Sequence, residues 1–263
     1  MTIKKEEVVC LGIVLKTQSY KESDALVTVY FKDYGKMTLI ARGVKKLKSK
    51  NASACQSLTL SEFTFIPRNG LSTLIKASSV DFYRYLKEDI ELEAYASYFM
   101  EFVLRNEEEN QPDLDVFNHL KEALDALNHG YPPQLVYLLY NAYILKRCGV
   151  ALQVDGCVRC LKQNRIAGLS LEDGGFVCLD CLSLRDKQLD KETLKAFRYI
   201  NKICFKQIDQ LKISQESIDQ LIEIMDYYVD EMTGILFKTK KMIKSLEKLL
   251  QKSTLLSFFI YIF

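Results

Sequence analysis

Four cysteines form two pairs, Cys157-Val-Arg-Cys160 and, after 17 intervening residues, Cys178-Leu-Asp-Cys181. Two residues between thiols make a tight turn that aims both sulfurs at one ion, and two such knuckles at this separation predict a zinc ribbon. One Zn2+ per chain is expected, held by Cys157, Cys160, Cys178 and Cys181. Four thiolates fill a tetrahedron, and no H-x-E signature lies nearby, so the metal reads as structural and not catalytic. The segment between the knuckles, LKQNRIAGLSLEDGGFV, is long enough for a hairpin and carries Gly174-Gly175 where it can turn. Arg159, Lys162 and Arg165 are placed to offset part of the double negative charge of a four-thiolate zinc. The competing reading is four unrelated buried or redox cysteines. Of the others, Cys10 reads as a strand thiol, Cys148 and Cys204 as helical core thiols, and Cys55 as a loop thiol open to solvent.

A second pattern points to phosphate. The run from Lys36 to Lys50, KMTLIARGVKKLKSK, contains Lys36, Arg42, Lys45, Lys46, Lys48 and Lys50 and no acid. Such a stripe binds nucleic acid by releasing counterions, so affinity falls steeply with salt. Tyr20, Tyr30, Phe31 and Tyr34 lie close in sequence; exposed ones can stack on bases, but a small barrel needs most of them as filling. The plain alternative for the run is a solvated loop. A secondary cluster, Lys238, Lys240, Lys241, Lys244, Lys248 and Lys252, places Lys240, Lys244 and Lys248 on one helical stripe, either a further nucleic-acid contact or a solvated face. His119 and His129 read as surface or cap residues. No G-x-x-x-x-G-K-[ST], G-x-G-x-x-G or G-x-S-x-G motif occurs, which leaves nucleotide hydrolysis and nucleophile-elbow chemistry without their usual warrant.

These residues need elements to carry them. Val8–Leu15, Ala25–Phe31, Met37–Ala41, Leu58–Ile66 and Leu71–Phe82 read as strands; Leu58–Ile66 alternates with period two. A polar loop is expected over Lys16–Asp24, a turn at Asp33-Tyr34-Gly35-Lys36, a long loop near Lys45–Ser57 and a hairpin at Pro67-Arg68-Asn69-Gly70. Five short strands in about 80 residues fit a small OB-type barrel, against a generic SH3-like barrel or meander. From Lys87 the period is helical. Stripes run through Leu92, Tyr95, Ala96, Phe99, Phe102 and Val103, then Val116, Phe117, Leu120, Leu124 and Leu127, then Val136, Leu139, Tyr140, Tyr143 and Ile144 behind Pro132-Pro133. Asp190 is placed to cap a helix carrying Leu194, Phe197, Ile200 and Cys204, and Ser214 one carrying Ile218 to Met232. Ile235–Leu250 is helical in pattern. The expected fold is α+β and multidomain: an OB-type barrel over 1–82, then an α-helical domain over 83–263 with the zinc ribbon inserted at 155–184.

The chain has 263 residues, of which 48% are apolar and 27% charged, enough for a real core. Its net charge of +2 speaks against a dedicated nucleic-acid binder until it is divided. Residues 1–80 carry 13 basic and 6 acidic side chains, residues 81–156 carry 6 and 14, and residues 157–263 carry 17 and 14. The head is basic and the middle acidic. MTIKKEEVV has no apolar stretch of a secretory signal, and LLSFFIYIF at the end is too short to span a bilayer. A cytoplasmic, nucleoid-associated protein without membrane contact is expected, where cysteines serve metals or cores rather than disulfides.

In order and detail the chain resembles the RecO family of bacterial DNA repair proteins. The resemblance rests on Gly12-Ile-Val-Leu15, Tyr20-Lys-Glu-Ser-Asp24, Tyr34-Gly-Lys36, Ala41-Arg-Gly-Val-Lys45, Ser49-Lys50, the four cysteines and Lys244-Ser245-Leu246. It implies a non-catalytic recombination mediator that binds single- and double-stranded DNA and anneals complementary strands. It implies work with RecR, on DNA coated by single-stranded DNA-binding protein, so that RecA can load. It assigns DNA contact to Arg42, Lys45, Lys46, Lys48 and Lys50, and zinc to the four cysteines. The greasy segment Thr254–Phe263 departs from the family's pattern and is expected to dock on the helical core. The rivals are a zinc-dependent enzyme acting on nucleic acid, which needs an open metal site or a carboxylate cluster, and a protein-interaction scaffold that does not bind DNA.

Overall fold

The computed structural model describes residues 6–68, 70–246 and 248–249. Its first five strands are β1 (Val8–Tyr20), β2 (Asp24–Phe31), β3 (Gly35–Ala41), β4 (Leu60–Ile66) and β5 (Ser72–Asp81). They close into a barrel in the order β1-β2-β3-β5-β4, with β4 pairing back onto β1. All neighbours are antiparallel except β3 and β5, which run parallel with Leu39 opposite Ser72 and Ile40 opposite Thr73. This is the OB arrangement. Its cause is the period of two: in β3 every second residue, from Gly35 through Met37 and Leu39 to Ala41, is buried. Phe31 stacks on Phe65 at 4.5 Å and meets Phe63 edge-on at 5.4 Å. Each such ring taken from water contributes about 1.5–3 kcal/mol.

Two barrel features differ from expectation. Lys16–Tyr20 is not the start of a loop: it prolongs β1, pairing with Thr28 through Asp24 after a register shift between Val14 and Lys16. These five side chains are exposed, so their polarity marks a strand that has left the core, and the bulge supplies the change of direction. Cys55 is buried rather than open, because the loop from β3 to β4 folds over the barrel: the Thr17 hydroxyl donates to the Cys55 carbonyl at 2.6 Å and the Ser61 hydroxyl to that of Ala54 at 2.9 Å. Of the expected hairpin, Gly70 has φ +95° and Asn69 lies outside the described residues.

A short helix α1 (Arg84–Glu88) leads to α2 (Ile90–Asn106) and α3 (Leu114–Asn128). Asp89 accepts from the N–H groups of Glu91 and Leu92, and Asp113 from those of Asp115 and Val116; each satisfies amides that the first helical turn leaves unpaired. Phe99, Phe102 and Val103 of α2, and Val116, Leu120, Leu124 and Leu127 of α3, are fully buried. The turn between β2 and β3 locks onto the α2–α3 loop. The Asn110 N–H donates to the Lys36 carbonyl at 2.9 Å, and the Tyr30 hydroxyl to the Asp113 carbonyl at 3.4 Å. Gly35 is required there: its φ is +67°, and a Cβ would stand 2.2 Å from the Gln111 carbonyl oxygen.

The chain continues through α4 (Pro133–Arg147), β6 (Ile166–Ser170), β7 (Gly175–Cys178), β8 (Lys187–Gln188), α5 (Lys191–Ile200), a 3-10 helix (Phe205–Gln210) and α6 (Gln215–Thr233). Residues 135–145 of α4 are all buried. Asp190 caps α5 and Ser214 caps α6, as their positions predict. α5 stops at Ile200, so Cys204 is not a core thiol of that helix; it is exposed, just before the 3-10 helix. The last helix begins at 238, three residues later than its sequence pattern. Thr254–Phe263 lies outside the described residues. The chain divides into two compact units: 1–129 with 237–263, which holds the barrel and α1–α3, and 130–236, which holds α4, the small sheet, α5 and α6. Among the described residues no helix is long and apolar enough to cross a membrane.

Candidate functional site

The two cysteine pairs converge. The four Sγ atoms lie within 4.8 Å of one another, with Cys160 and Cys178 at 3.6 Å. Each knuckle is closed by its backbone: the Leu161 N–H donates to the Cys157 carbonyl at 2.8 Å, and the Cys181 N–H to that of Cys178 at 3.0 Å. The β6–β7 hairpin carries the second knuckle, pairing Ser170 with Gly175, and Gly174 takes its turn at φ +70°. Val177 is buried with Cys157 and Cys178, while Val158 and Ile166 pack against them. Burial pushes the Cys157 thiol up, but the N–H groups of Cys178, Cys160 and Arg159 outweigh it and bring it down to about 6. Cys181 is pushed up to about 12, chiefly by the Cys160 and Cys178 side chains. Cys157 therefore ionises readily while Cys181 resists, a tension that a dication relieves.

The donor set fits zinc. A tetrahedron with Zn–S of about 2.3 Å places its sulfurs roughly 3.8 Å apart, within the spacing found. Among the described residues the group able to hold an ion consists of these four cysteines and no carboxylate or imidazole. The neighbouring cations also pair with carboxylates: Asp180 first, and then the Cys160 and Cys178 sulfurs, raise the Lys162 pKa. Arg159 binds Asp186 at 2.7 and 2.8 Å, Asp173 at 2.9 Å and the Cys181 carbonyl at 2.7 Å, tying the first knuckle to the second. This guanidinium is the main reason the Asp186 carboxyl falls to about 2. Lys162 and Arg165 share Asp180. Outside the ribbon, burial pushes the Cys10 thiol up to about 11 and that of Cys55 to about 12, so neither is a nucleophile at neutral pH.

The basic run divides. Lys36 is half-buried; its ammonium donates to the Leu104 carbonyl at 2.8 Å, and burial lowers its pKa, opposed by Glu109 and Glu107. Arg42, Lys45, Lys46, Lys48 and Lys50 are exposed on the loop after β3, and none of the five has an ion-pair partner among the described residues. The loop is fixed at several points. The Gly43 N–H donates to Asp24 at 2.8 Å and the Lys45 N–H to the Ser23 carbonyl at 3.0 Å. Asn51 accepts from the Ala77 N–H at 3.0 Å. Of the neighbouring aromatics, Tyr30 and Phe31 are core, Tyr34 is half-buried, and Tyr20 is open beside Lys21.

The C-terminal stripe is interrupted: Lys240 is buried, whereas Lys244 and Lys248 are exposed, and Lys252 lies outside the described residues. What holds that helix is Glu101, which sequence reasoning missed. Its carboxylate accepts from the N–H groups of Lys238 and Thr239 at 3.0 and 2.9 Å and from Arg105 at 2.6 Å. Burial pushes the Glu101 carboxyl up, but these donors reverse that and hold it below its ordinary value. His119 and His129 bond through Nδ1 to the backbone carbonyls of Asp115 and Asp125.

A closed OB barrel with a pinned cationic loop, followed by helices and a four-cysteine ribbon, defines the class as an α+β multidomain protein. Residues 5–83 match the family model described as recombination protein O N terminal, and residues 87–241 the one described as recombination protein O C terminal. The chain belongs to the recombination protein O (RecO) family. It is 31% identical over 242 residues to the DNA repair protein RecO of Listeria monocytogenes serotype 4a (strain HCC23), covering 91% of this chain and 94% of that one. To that of Bacillus pumilus (strain SAFR-032) it is 28% identical over 254 residues, 95% and 96% of the two chains. To that of Bacillus subtilis (strain 168) it is 28% identical over 242 residues, 91% and 95%.

Proposed function

We propose that this chain is a non-catalytic, DNA-binding recombination mediator in DNA repair, of the RecF-pathway type. It binds and anneals single-stranded DNA and, with RecR, helps RecA to load where single-stranded DNA-binding protein covers the strand. The observation that carries the DNA reading is the pinned loop with five exposed cations that have no acidic partner among the described residues. Such a surface neutralises phosphates of two strands, lowers their mutual repulsion and lets bases find partners. The contacts are assigned to Arg42, Lys45, Lys46, Lys48 and Lys50, with Lys244 and Lys248 as a secondary contact. Lys36 serves instead to hold the barrel to α2. Residues 1–82 act as the DNA-facing domain, and 83–263 as the helical domain, with the ribbon at 155–184.

Cys157, Cys160, Cys178 and Cys181 hold one structural Zn2+ per chain, which closes the ribbon and leaves no coordination position for substrate. A protein of this kind works in the cytoplasm at the nucleoid. The test is annealing of two complementary oligonucleotides followed by energy transfer between end labels, in low and in moderate salt, with no nucleotide added. The reading expects acceleration that fades as salt rises. Absence of both binding and acceleration at low salt would overturn it.

A further inference from the structure

We infer that Leu47 is a wedge that enters the base stack of the bound nucleic acid. The inference rests on the DNA reading above and adds an apolar contact to the charged one. A lone exposed leucine is ordinary on a protein surface. Leu47 differs in its setting. Its exposure is 107%, as open as a side chain can be. It stands between Lys46 and Lys48, with Lys45 and Lys50 close by in sequence. It also occupies a corner of a turn, closed by the Ser49 N–H donating to the Lys46 carbonyl at 2.9 Å. The preceding turn is closed by the Lys46 N–H to the Gly43 carbonyl at 3.1 Å, and Val44 between them is buried at 5% exposure, anchoring the loop in the barrel core.

The tip is therefore presented rather than floppy, so little ordering remains to oppose binding. Residues 46 and 48 are at most about 7 Å apart along the chain, the scale of neighbouring phosphates on one strand. Cations on either side can hold the backbone while the side chain between them meets the bases. Apolar side chains that unstack a base step in this way are a known device of nucleic-acid-binding proteins, and the step opens most easily where stacking is already weakened. A nick or a junction between single and double strand meets that condition. An anionic lipid surface would also attract the lysines, but one leucine offers a bilayer little apolar area.

The test uses the full chain and a nicked duplex carrying 2-aminopurine beside the nick, whose fluorescence rises on unstacking. Wild type is expected to raise the signal. Leu47→Ala is expected to lose most of that rise and about tenfold in affinity for the nicked duplex, with its salt slope unchanged because no phosphate contact is lost. Leu184→Ala, at an equally exposed leucine beside Arg185 and Asp186, should behave as wild type. A full rise with Leu47→Ala, or no rise with bound wild type, overturns the wedge while leaving DNA binding in place. Binding of wild type but not Leu47→Ala to phosphatidylglycerol vesicles, with fluorescence equal for both on DNA, also overturns it in favour of lipid. Failure of every variant to bind DNA sinks the DNA reading and the wedge together.

Discussion

The double charge reversal Arg42→Glu with Lys46→Glu tests the phosphate site quantitatively. Five exposed cations lie on the loop. If each neutralises one phosphate of a single strand, log affinity falls against log salt with a slope of about −3.5, at about 0.7 per contact. Removing two contacts leaves about −2.1. Between 50 and 200 mM salt, wild-type affinity should then fall roughly 130-fold and that of the variant roughly 18-fold. Neither side chain is buried or paired among the described residues, so the fold should be unaffected, which circular dichroism checks. Fluorescence anisotropy of a labelled single-stranded oligonucleotide at four salt concentrations measures both slopes.

Lys36→Gln supplies the internal control. Its ammonium already serves the Leu104 carbonyl, so the slope should stay near −3.5 while thermal stability drops. Two results would refute the reasoning. One is an unchanged slope in the double variant. The other is a slope in Lys36→Gln that flattens by about 0.7, the loss of one loop contact.

Two more predictions concern what holds the structure. The purified protein should carry one zinc per chain, with X-ray absorption showing four sulfurs at about 2.3 Å; removal by a chelator should expose 155–184 to protease, and nitrogen or oxygen ligands in the spectrum would count against the site. Glu101→Gln should cost about 1–2 kcal/mol at pH 7 by denaturant unfolding, because a charged acceptor for the Lys238 and Thr239 N–H groups is lost. The pH dependence has a definite sign. The folded carboxyl titrates below its ordinary 4.5, so its stabilisation is present above that value and disappears as pH falls through the lower, folded one. Wild type should lose stability across that window and Glu101→Gln should lose less; parallel acid limbs for the two proteins would rule the cap out.

What was legible in the sequence was local. The ribbon could be read because two residues between cysteines already make a turn, and the hairpin between the knuckles needed only Gly174. The strands of the barrel could be read where one face is buried, as in β3 and β4, but Lys16–Tyr20 could not, because a strand exposed on all its side chains has no period to betray it. Long-range partnerships were illegible. Lys36 looked like its basic neighbours until Leu104, 68 residues away, took its ammonium. Glu101 had no visible task until Lys238, 137 residues on, presented its N–H. Cys55 sits in a loop, and its burial comes from strands that the loop crosses.

Part of the acidic middle has work inside the fold. Asp89 and Asp113 cap α2 and α3, and Glu101 caps the last helix. Asp125 accepts from the Tyr83 hydroxyl at 2.8 Å and pairs with Lys121 at 2.5 Å. Arg159 and Lys36 are likewise consumed by the architecture. The loop cations are different, because Arg42, Lys45, Lys46, Lys48 and Lys50 satisfy no backbone group and neutralise no acid among the described residues. Like charges crowded on a pinned loop repel one another, and the fold gains nothing that offsets it. Binding a polyanion would relieve that repulsion, which is why the proposed DNA contacts are placed on this loop.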